Sequence, residues 1–309
     1  MGKVETLVDE YRERGLEGVL RRSWYYTLVG SPVAGVLEPF VPGVHRAKLF
    51  HFDGIGYWPE LRSPRSFNEK IIHRKLFTDR RLYSTVADKW SVRSFVRERV
   101  GSDVLTDVHH VTDDPDTIPF EDLPDEFVVK ATHGSGWNLL IDDERAIDPE
   151  AIRSRCRAWL SESYGGWADE YWYDDIEPRI LVEEFLHARD GGPPDDYKFY
   201  VFDGSVACVH VDFDRFDGHK RRLYTPDWDP LDVEYAFPLG PTVDRPACLD
   251  EMIRVAEALG ADFDFVRVDL YALPGGDVRF GELTLSPEAD LGRFEPVEFD
   301  FELGSNWAR

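Results

Sequence analysis

The sequence predicts an α+β protein, and three observations carry that prediction. Helical apolar spacing and capping residues dominate the first hundred positions, short apolar runs between turn residues dominate after Pro124, and no regular strand and helix alternation joins those runs. At the N-terminus Val4, Leu7, Val8, Tyr11, Leu16, Val19 and Leu20 follow one helical stripe, which predicts an amphipathic helix. Pro32, Pro39, Pro42, Pro59 and Pro64 then predict irregular backbone up to about Arg65. Ser66-Phe67-Asn68-Glu69 ahead of Ile71 and Ile72 has the form of a capping box, so a helix starts at Ser66. Asp88 is placed to cap a further helix, whose Val92, Phe95, Val96 and Val100 share a face and which Gly101 stops.

Beyond Pro124, segments 127–131 and 137–141 read as strands flanking Thr132-His133-Gly134-Ser135-Gly136, with a helix at 151–161 behind them. Segments 180–182, 199–202, 206–211, 265–272 and 278–285 read as further strands, with a helix at 252–259 among them. Asp203-Gly204 is a hairpin turn signal.

Composition narrows the function. Sixty acidic residues against 36 basic ones give a net charge of −24, which argues against a nucleic-acid binder, whose affinity comes from clustered Lys and Arg. Only eight of the 36 basic residues are lysine, and this Lys-poor, acidic balance resembles halophilic proteins, whose self-repulsion is screened by salt. Each surviving lysine is thereby a better candidate for a task. Cys156, Cys208 and Cys248 are odd in number and far apart, so they form neither a disulfide framework nor a zinc spacing, and a cytoplasmic location is expected. The longest uncharged stretch, 23–37, is shorter than the roughly 18 residues of a membrane span and contains Gly30 and Pro32. No span is expected, and peripheral membrane contact by this segment stays open.

The most informative stretch runs from Arg267 to Thr284. If Gly275-Gly276 forms a two-residue hairpin turn, Asp269 faces Glu282 and Arg267 faces Thr284. Side chains alternate faces with period two, so all four project from one side of the sheet. Two opposed carboxylates repel and want a cation between them. Oxygen donors suit a hard ion, which points to Mg²⁺ or Mn²⁺. In the alternative, the turn is longer, the register slips by one, and one acid faces solvent. A metal on a sheet suggests a phosphorylated ligand. Lys130 precedes the loop His133-Gly134-Ser135-Gly136, whose glycines let backbone N–H groups approach an anion; alone, such a loop is as well read as a plain turn.

In order and spacing, Lys130 with its glycine loop, Leu181-Val182-Glu183-Glu184-Phe185-Leu186, Asp196-Tyr197-Lys198-Phe199, and Arg267-x-Asp269 followed by Glu282-x-Thr284 resemble the ATP-grasp superfamily. Ser66-Phe67-Asn68-Glu69-Lys70, Asp88-Lys89 and Phe280-Gly281-Glu282-Leu283-Thr284 further resemble its TupA-like branch, named for teichuronopeptide biosynthesis. The resemblance spans roughly Gly56 to Trp307. It implies an ATP-grasp fold, in which a lid subdomain at 104–182 and a C-terminal subdomain at 183–309 clamp ATP, after a mostly helical region at 1–103. It implies that Lys89 and Lys130 hold ATP phosphates under the loop His133 to Gly136. The backbone of Glu183, Glu184, Phe185 and Leu186 would read adenine, leaving those side chains free to vary. Lys198 would meet the γ-phosphate, Arg267 would stabilise the transferring phosphoryl group, and Asp269 and Glu282 with Thr284 would hold the metal. Thr284 stands where the superfamily usually has Asn, a better metal ligand.

The implied activity is ATP-dependent joining of a carboxylate, activated as an acyl phosphate, to an amine, in cell-surface polysaccharide biosynthesis. The acceptor would be an anionic glycan or amino acid. A kinase-like phosphoryl transfer to a hydroxyl, a glycosyltransferase and a non-catalytic ATP-binding module are the competing readings. His219-Lys220-Arg221-Arg222 is the only four-residue basic run; it suits an anionic acceptor or, equally, a solvated loop. Asp212-Phe213-Asp214 has the D-x-D form of nucleotide-sugar transferases, a pattern this acidic chain produces readily by chance. No Ser-His-Asp or Cys-His context singles out Ser135, His133 or Cys208 as a nucleophile.

Overall fold

The computed structural model describes residues 43–78, 81–142, 148–166, 169–188, 191–192, 194–213 and 218–308. The expected N-terminal amphipathic helix and the stretch 23–37 lie outside the described residues. Four helices open the described chain: α1 (Gly43–Ile55), α2 (Phe67–Phe77), α3 (Arg81–Ala87) and α4 (Val92–Val100). Helix α1 corrects the expectation of irregular backbone up to Arg65; its apolar positions are too sparse for periodicity to reveal it, yet Ala47 and Ile55 are buried. The capping box forms as read, with Ser66 Oγ accepting from the Glu69 N–H and the Glu69 carboxylate from the Ser66 N–H. Asp88 does not cap α4 itself. Its carboxylate takes the Trp90 N–H at 3.0 Å and the Ser91 hydroxyl at 2.5 Å, closing the turn before the helix.

The strands form two main antiparallel sheets. Strands β1 (Val108–Thr112), β2 (Phe127–Ala131), β3 (Asn138–Ile141) and β4 (Ile180–Glu184) make a small sheet in the order β1-β4-β2-β3. Strands β5 (Asp196–Phe202), β6 (Ser205–Phe213), β7 (Lys220–Tyr224), β8 (Pro230–Leu231), β10 (Val266–Ala272) and β11 (Val278–Thr284) make a larger one in the order β11-β10-β5-β6-β7-β8. Short β9 (Glu234–Tyr235) and β12 (Phe294–Glu295) pair separately. The expected subdomain division between 182 and 183 falls inside β4, all of which belongs to the small sheet.

Period-two alternation gives the small sheet one apolar and one polar face, and the large sheet one apolar face and one part apolar, part charged. In the small sheet Phe127, Val129, Ala131, Ile180 and Val182 pack on Ile152, Cys156 and Trp159 of α5 (Pro149–Ser161). Asp148 caps α5 by accepting from the Glu150 and Ala151 N–H groups at 3.1 Å each. In the large sheet Phe199, Val201, Val209, Val211, Val266, Val268 and Leu270 pack on Leu249, Met252, Val255, Ala256 and Leu259 of α6 (Leu249–Gly260). Each such burial is worth about 1.5–3 kcal/mol. On the opposite face of the large sheet, Tyr200, Cys208 and Leu223 are covered by Phe67 and Ile71 of α2 and Phe299 and Leu303 of α7 (Glu298–Ser305). The rest of that face carries charge.

Candidate active site

Strands β10 and β11 pair Asp269 with Glu282 and Arg267 with Thr284, the two pairs predicted from the sequence, but by a different route. Gly275 and Gly276 both have left-handed backbone, with φ of 101° and 92°. They sit inside a longer loop, closed by a Leu273 N–H to Asp277 carbonyl bond of 2.8 Å, and Ala272 pairs with Val278. The register is therefore one residue off near the turn. A bulge at Gly281 restores it, because Leu270 pairs with Phe280 and Asp269 with Glu282. A Cβ on residue 281 would lie 3.1 Å from the Asp269 carbonyl oxygen, which is why the bulge holds glycine.

All four side chains meet on one face. The Arg267 guanidinium donates to Asp269 Oδ1 at 2.7 Å and Oδ2 at 2.6 Å, to Thr284 Oγ1 at 2.9 Å and to Glu282 Oε1 at 3.3 Å. Strand β5 pairs Lys198 with Asp269, and Lys198 Nζ lies 3.0 Å from Asp269 Oδ2 and in contact with Asp196. Burial disfavours the charged forms here, but pairing wins. Lys198 is pushed upward by Asp196 and Asp269, Arg267 upward by Asp269, and Glu282 downward by Lys89, Arg267 and Lys198. Lys198, Arg267 and Glu282 are therefore all charged near neutrality.

The small sheet supplies the facing wall. Lys130 and Glu183 project from its polar face and form an ion pair. Glu183 also accepts from Thr106 Oγ1 at 2.8 Å, and Thr106 is held by Arg93 at 3.0 Å. Despite burial, Lys130 holds the Glu183 carboxyl below its ordinary value. The Glu183 side chain is thus held between Lys130 and Thr106 as part of the wall. A cleft of about 220 Å³ between the sheets is lined by Val128, Lys130, Leu140, Phe185, Leu186 and Phe280, and also reaches Glu183 and Glu184. Lys89 donates to the Gly134 carbonyl oxygen and borders a smaller recess of the same wall with Lys130, Glu183 and Gly281. Ser135 and Gly136 are exposed at the loop tip, whereas the His133 ring is buried, with Nε2 3.0 Å from the Trp159 carbonyl oxygen.

Among the described residues no three His, Cys, Asp or Glu side chains form a ready-made metal cage. Two carboxylates beside a hydroxyl nevertheless fit Mg²⁺, which is commonly held by one or two carboxylates jointly with ligand phosphates. Glu282 is the more available donor: its side chain is 38% exposed, against 3% for Asp269, whose oxygens are engaged by Arg267 and Lys198.

Sequence reasoning left two neighbours out of the site. Asp196 carries no role of its own in the sequence motif, and its place beside Lys198 follows from i, i+2 spacing on β5. Thr106 lies in a loop with no signal of its own. The basic run is divided by the alternation of β7. Arg221 shares the charged face of the large sheet by pairing with Asp212, while Arg222 points away and donates to the Gly240 carbonyl oxygen at 2.7 Å. Asp212 is bound by Arg221 at 2.7 Å; Asp214 lies outside the described residues.

Comparison with known proteins decides the family, since the TupA-like ATPgrasp family matches residues 69–308, well over half of the 309-residue chain. The chain belongs to the TupA-like ATP-grasp family. ATP-grasp enzymes are ATP-dependent ligases, and the α+β fold, with four helices opening the described residues, agrees with that membership. Among solved structures, the ATP-grasp ligase PsnB complexed with minimal precursor is 18% identical, with 67% of this chain and 54% of that one covered and a TM-score of 0.37. The D-alanine–D-alanine ligase from Bacillus anthracis is 13% identical, with 65% and 57% covered and a TM-score of 0.40. An ADP complex of purK, N5-carboxyaminoimidazole ribonucleotide synthetase, is 12% identical, with 67% and 46% covered and a TM-score of 0.43. The chain spans about half of the length of these structures. Comparison with curated proteins gives no match.

Proposed function

We propose that this protein is an ATP-dependent carboxylate–amine ligase acting in the cytoplasm on a cell-surface polysaccharide or its peptide decoration. One observation carries the ligase reading: Lys198 and Arg267 converge on Asp269 beside Glu282 and Thr284, while Lys89 and Lys130 line the facing wall. In this reading adenine enters the apolar cleft against Val128, Leu140 and Phe280, with the backbone from Glu183 to Leu186 at its edge. Lys89 and Lys130 exchange the Gly134 carbonyl and Glu183 for phosphate oxygens, under the backbone of the loop His133 to Gly136. Asp269 and Glu282, with Thr284, would hold a divalent ion, which when bound neutralises phosphate charge.

Phosphoryl transfer needs positioning and charge neutralisation more than a protein nucleophile. Lys198, beside the ion site on the charged face, would bind the γ-phosphate and an acceptor carboxylate together. An acceptor oxygen bonds to the γ-phosphorus as the β,γ-bridging P–O bond breaks and ADP leaves. Arg267 stabilises the charge in flight. The amine then attacks the acyl carbon, phosphate departs, and the nitrogen gives up a proton to form the amide.

The test is ATP affinity with and without Mg²⁺ in the wild type and in Glu282→Gln, coupled to ADP release in the presence of carboxylates and hydroxylamine. Mg²⁺-supported affinity lost in the variant, and hydroxamate formed by the wild type, is the expected result. Equal Mg²⁺-supported affinity in both proteins overturns the ion site, and a phosphorylated hydroxyl in place of an amide overturns the ligase. The Lys-poor surface further fits adaptation to high salt, which an unfolding midpoint insensitive to molar KCl would contradict.

A further inference from the structure

Two strands from Lys198, the charged face of the large sheet ends in a guanidinium that the ligase reading does not use. Lys198 pairs with His210, and Asp212, two residues on, pairs with Arg221, so all four side chains share one face. At strand spacings of about 4.8 Å, Lys198 and Arg221 are roughly 12 Å apart at their Cα atoms. Arg221 is only 2% exposed and held from three sides. Asp212 accepts from its Nε at 2.7 Å, and the rings of Tyr235 and Phe237 lie 5.1 and 4.9 Å from its Cζ. The remaining edge is capped by Glu288, whose Oε1 accepts from Nη1 at 2.8 Å.

The two carboxylates on Arg221 are unlike. Asp212 is buried on a central strand, with a side chain 3% exposed, and also contacts His219 at 3.0 Å. Glu288 is 27% exposed at its side chain, makes a single contact with Arg221, and sits in the connection that leaves β11 just after Thr284. Exchanging Glu288 for another carboxylate would keep the guanidinium neutralised, so the exchange avoids the cost of an unpaired buried charge. We propose that Arg221 is an anion site of the acceptor surface, with Glu288 as its placeholder, and that the acceptor is a small dicarboxylate bound with one acid at Lys198 and the other at Arg221. This rests on the ligase reading, and it names the substrate class that reading leaves open. Of the basic run, only Arg221 is assigned this task; Arg222 is committed to the Gly240 carbonyl on the other face.

The experiment uses the full chain and two readouts. Binding of succinate, glutarate and adipate, against butyrate and pentanoate, is measured by calorimetry without nucleotide. Hydroxamate formation from the same acids is measured with Mg-ATP and hydroxylamine. The wild type is expected to prefer a dicarboxylate. Glu288→Gln should tighten its binding a few fold, and Arg221→Lys should weaken it about tenfold, with the monocarboxylates unchanged by either. No dicarboxylate preference in the wild type, or a preference unmoved by Glu288→Gln, overturns the proposal, even if Arg221→Lys fails to fold. Dicarboxylate binding without any hydroxamate would instead leave the anion site standing and count against the ligase.

Discussion

The two walls of the cleft hold their cations in opposite ways. On the large sheet, Lys198 and Arg267 share Asp269, with Asp196, Glu282 and Thr284 around them, and the cations and Asp269 are nearly sealed from solvent. On the facing wall, Lys130 of the small sheet has one carboxylate partner and a side chain 23% exposed, and Lys89, in the turn between α3 and α4, has a single carbonyl. Removing one member of the first group strands several buried charges, whereas each lysine of the facing wall has a single partner to trade for a ligand oxygen. The large sheet is therefore suited to fix the reacting geometry, and the small sheet to admit and release a nucleotide.

The largest effect that would break this contrast lies at Asp269. Asp269→Asn leaves Arg267 and Lys198 without their shared charge, with an expected loss of about 3–5 kcal/mol of unfolding free energy. ADP formation should slow by at least about 100-fold. Denaturant titration and a coupled ADP assay read the two effects separately. A loss of stability no greater than that of Lys130→Met would mean that the two walls are held alike.

Beside the end of β11, Glu170 tests the same idea through pH. Burial raises its carboxyl to about 7, even though Ser286 donates to it, while the same group in the unfolded chain ionises near 4.5. A raised acid favours the folded state only while protonated. Its contribution is whole below about 4.5, falls as pH rises through 7, and stays lost above that. Glu170→Gln should accordingly stabilise the protein by on the order of 2 kcal/mol at pH 8 and by nothing at pH 4. Melting curves at the two pH values check this, and equal shifts at both would sink it.

On the small sheet the expected effects are smaller and fall on binding. Lys130→Met should weaken ATP about tenfold, and Glu183→Gln should do so less, since Thr106 and Arg93 still hold the amide in place. Calorimetric titration with ATP ranks the two; a reversed order would make Glu183 a direct ligand contact in place of a positioning residue.

How much of this was legible follows from what each feature depends on. Lys198 entered through the family resemblance, whereas Arg267, Asp269, Glu282 and Thr284 could be gathered from the sequence because alternation and one local hairpin place them. The pairing of Lys198 with Asp269 could not, because the register of β5 against β10 is set by packing on α6, between segments 71 residues apart. Strand β7 was hidden because Lys220-Arg221-Arg222 has no apolar alternation, although its burial alternates: Arg221 is sealed and Lys220 exposed. Helix α1, rich in charged and aromatic side chains, was masked by the prolines on either side of it.

The smallest predicted effect concerns the residue that makes the two acids meet. The loop after β10 is longer than the two-residue turn that its glycines suggest, and on that account Asp269 would face Gly281; the bulge at Gly281 absorbs the extra residue and brings Glu282 opposite instead. Gly281→Ala sets a methyl 3.1 Å from the Asp269 carbonyl oxygen and 3.2 Å from Tyr271 Cε2. The ring can turn aside but the carbonyl, fixed in the sheet, cannot, so the expected cost is about 1 kcal/mol of stability. Because the strain falls between the two acids, Mg²⁺-supported ATP affinity should drop while affinity without Mg²⁺ holds. If both affinities drop together, residue 281 shapes the cleft and not the spacing of Asp269 and Glu282, and the division of labour between the walls is less sharp than their charge partners imply.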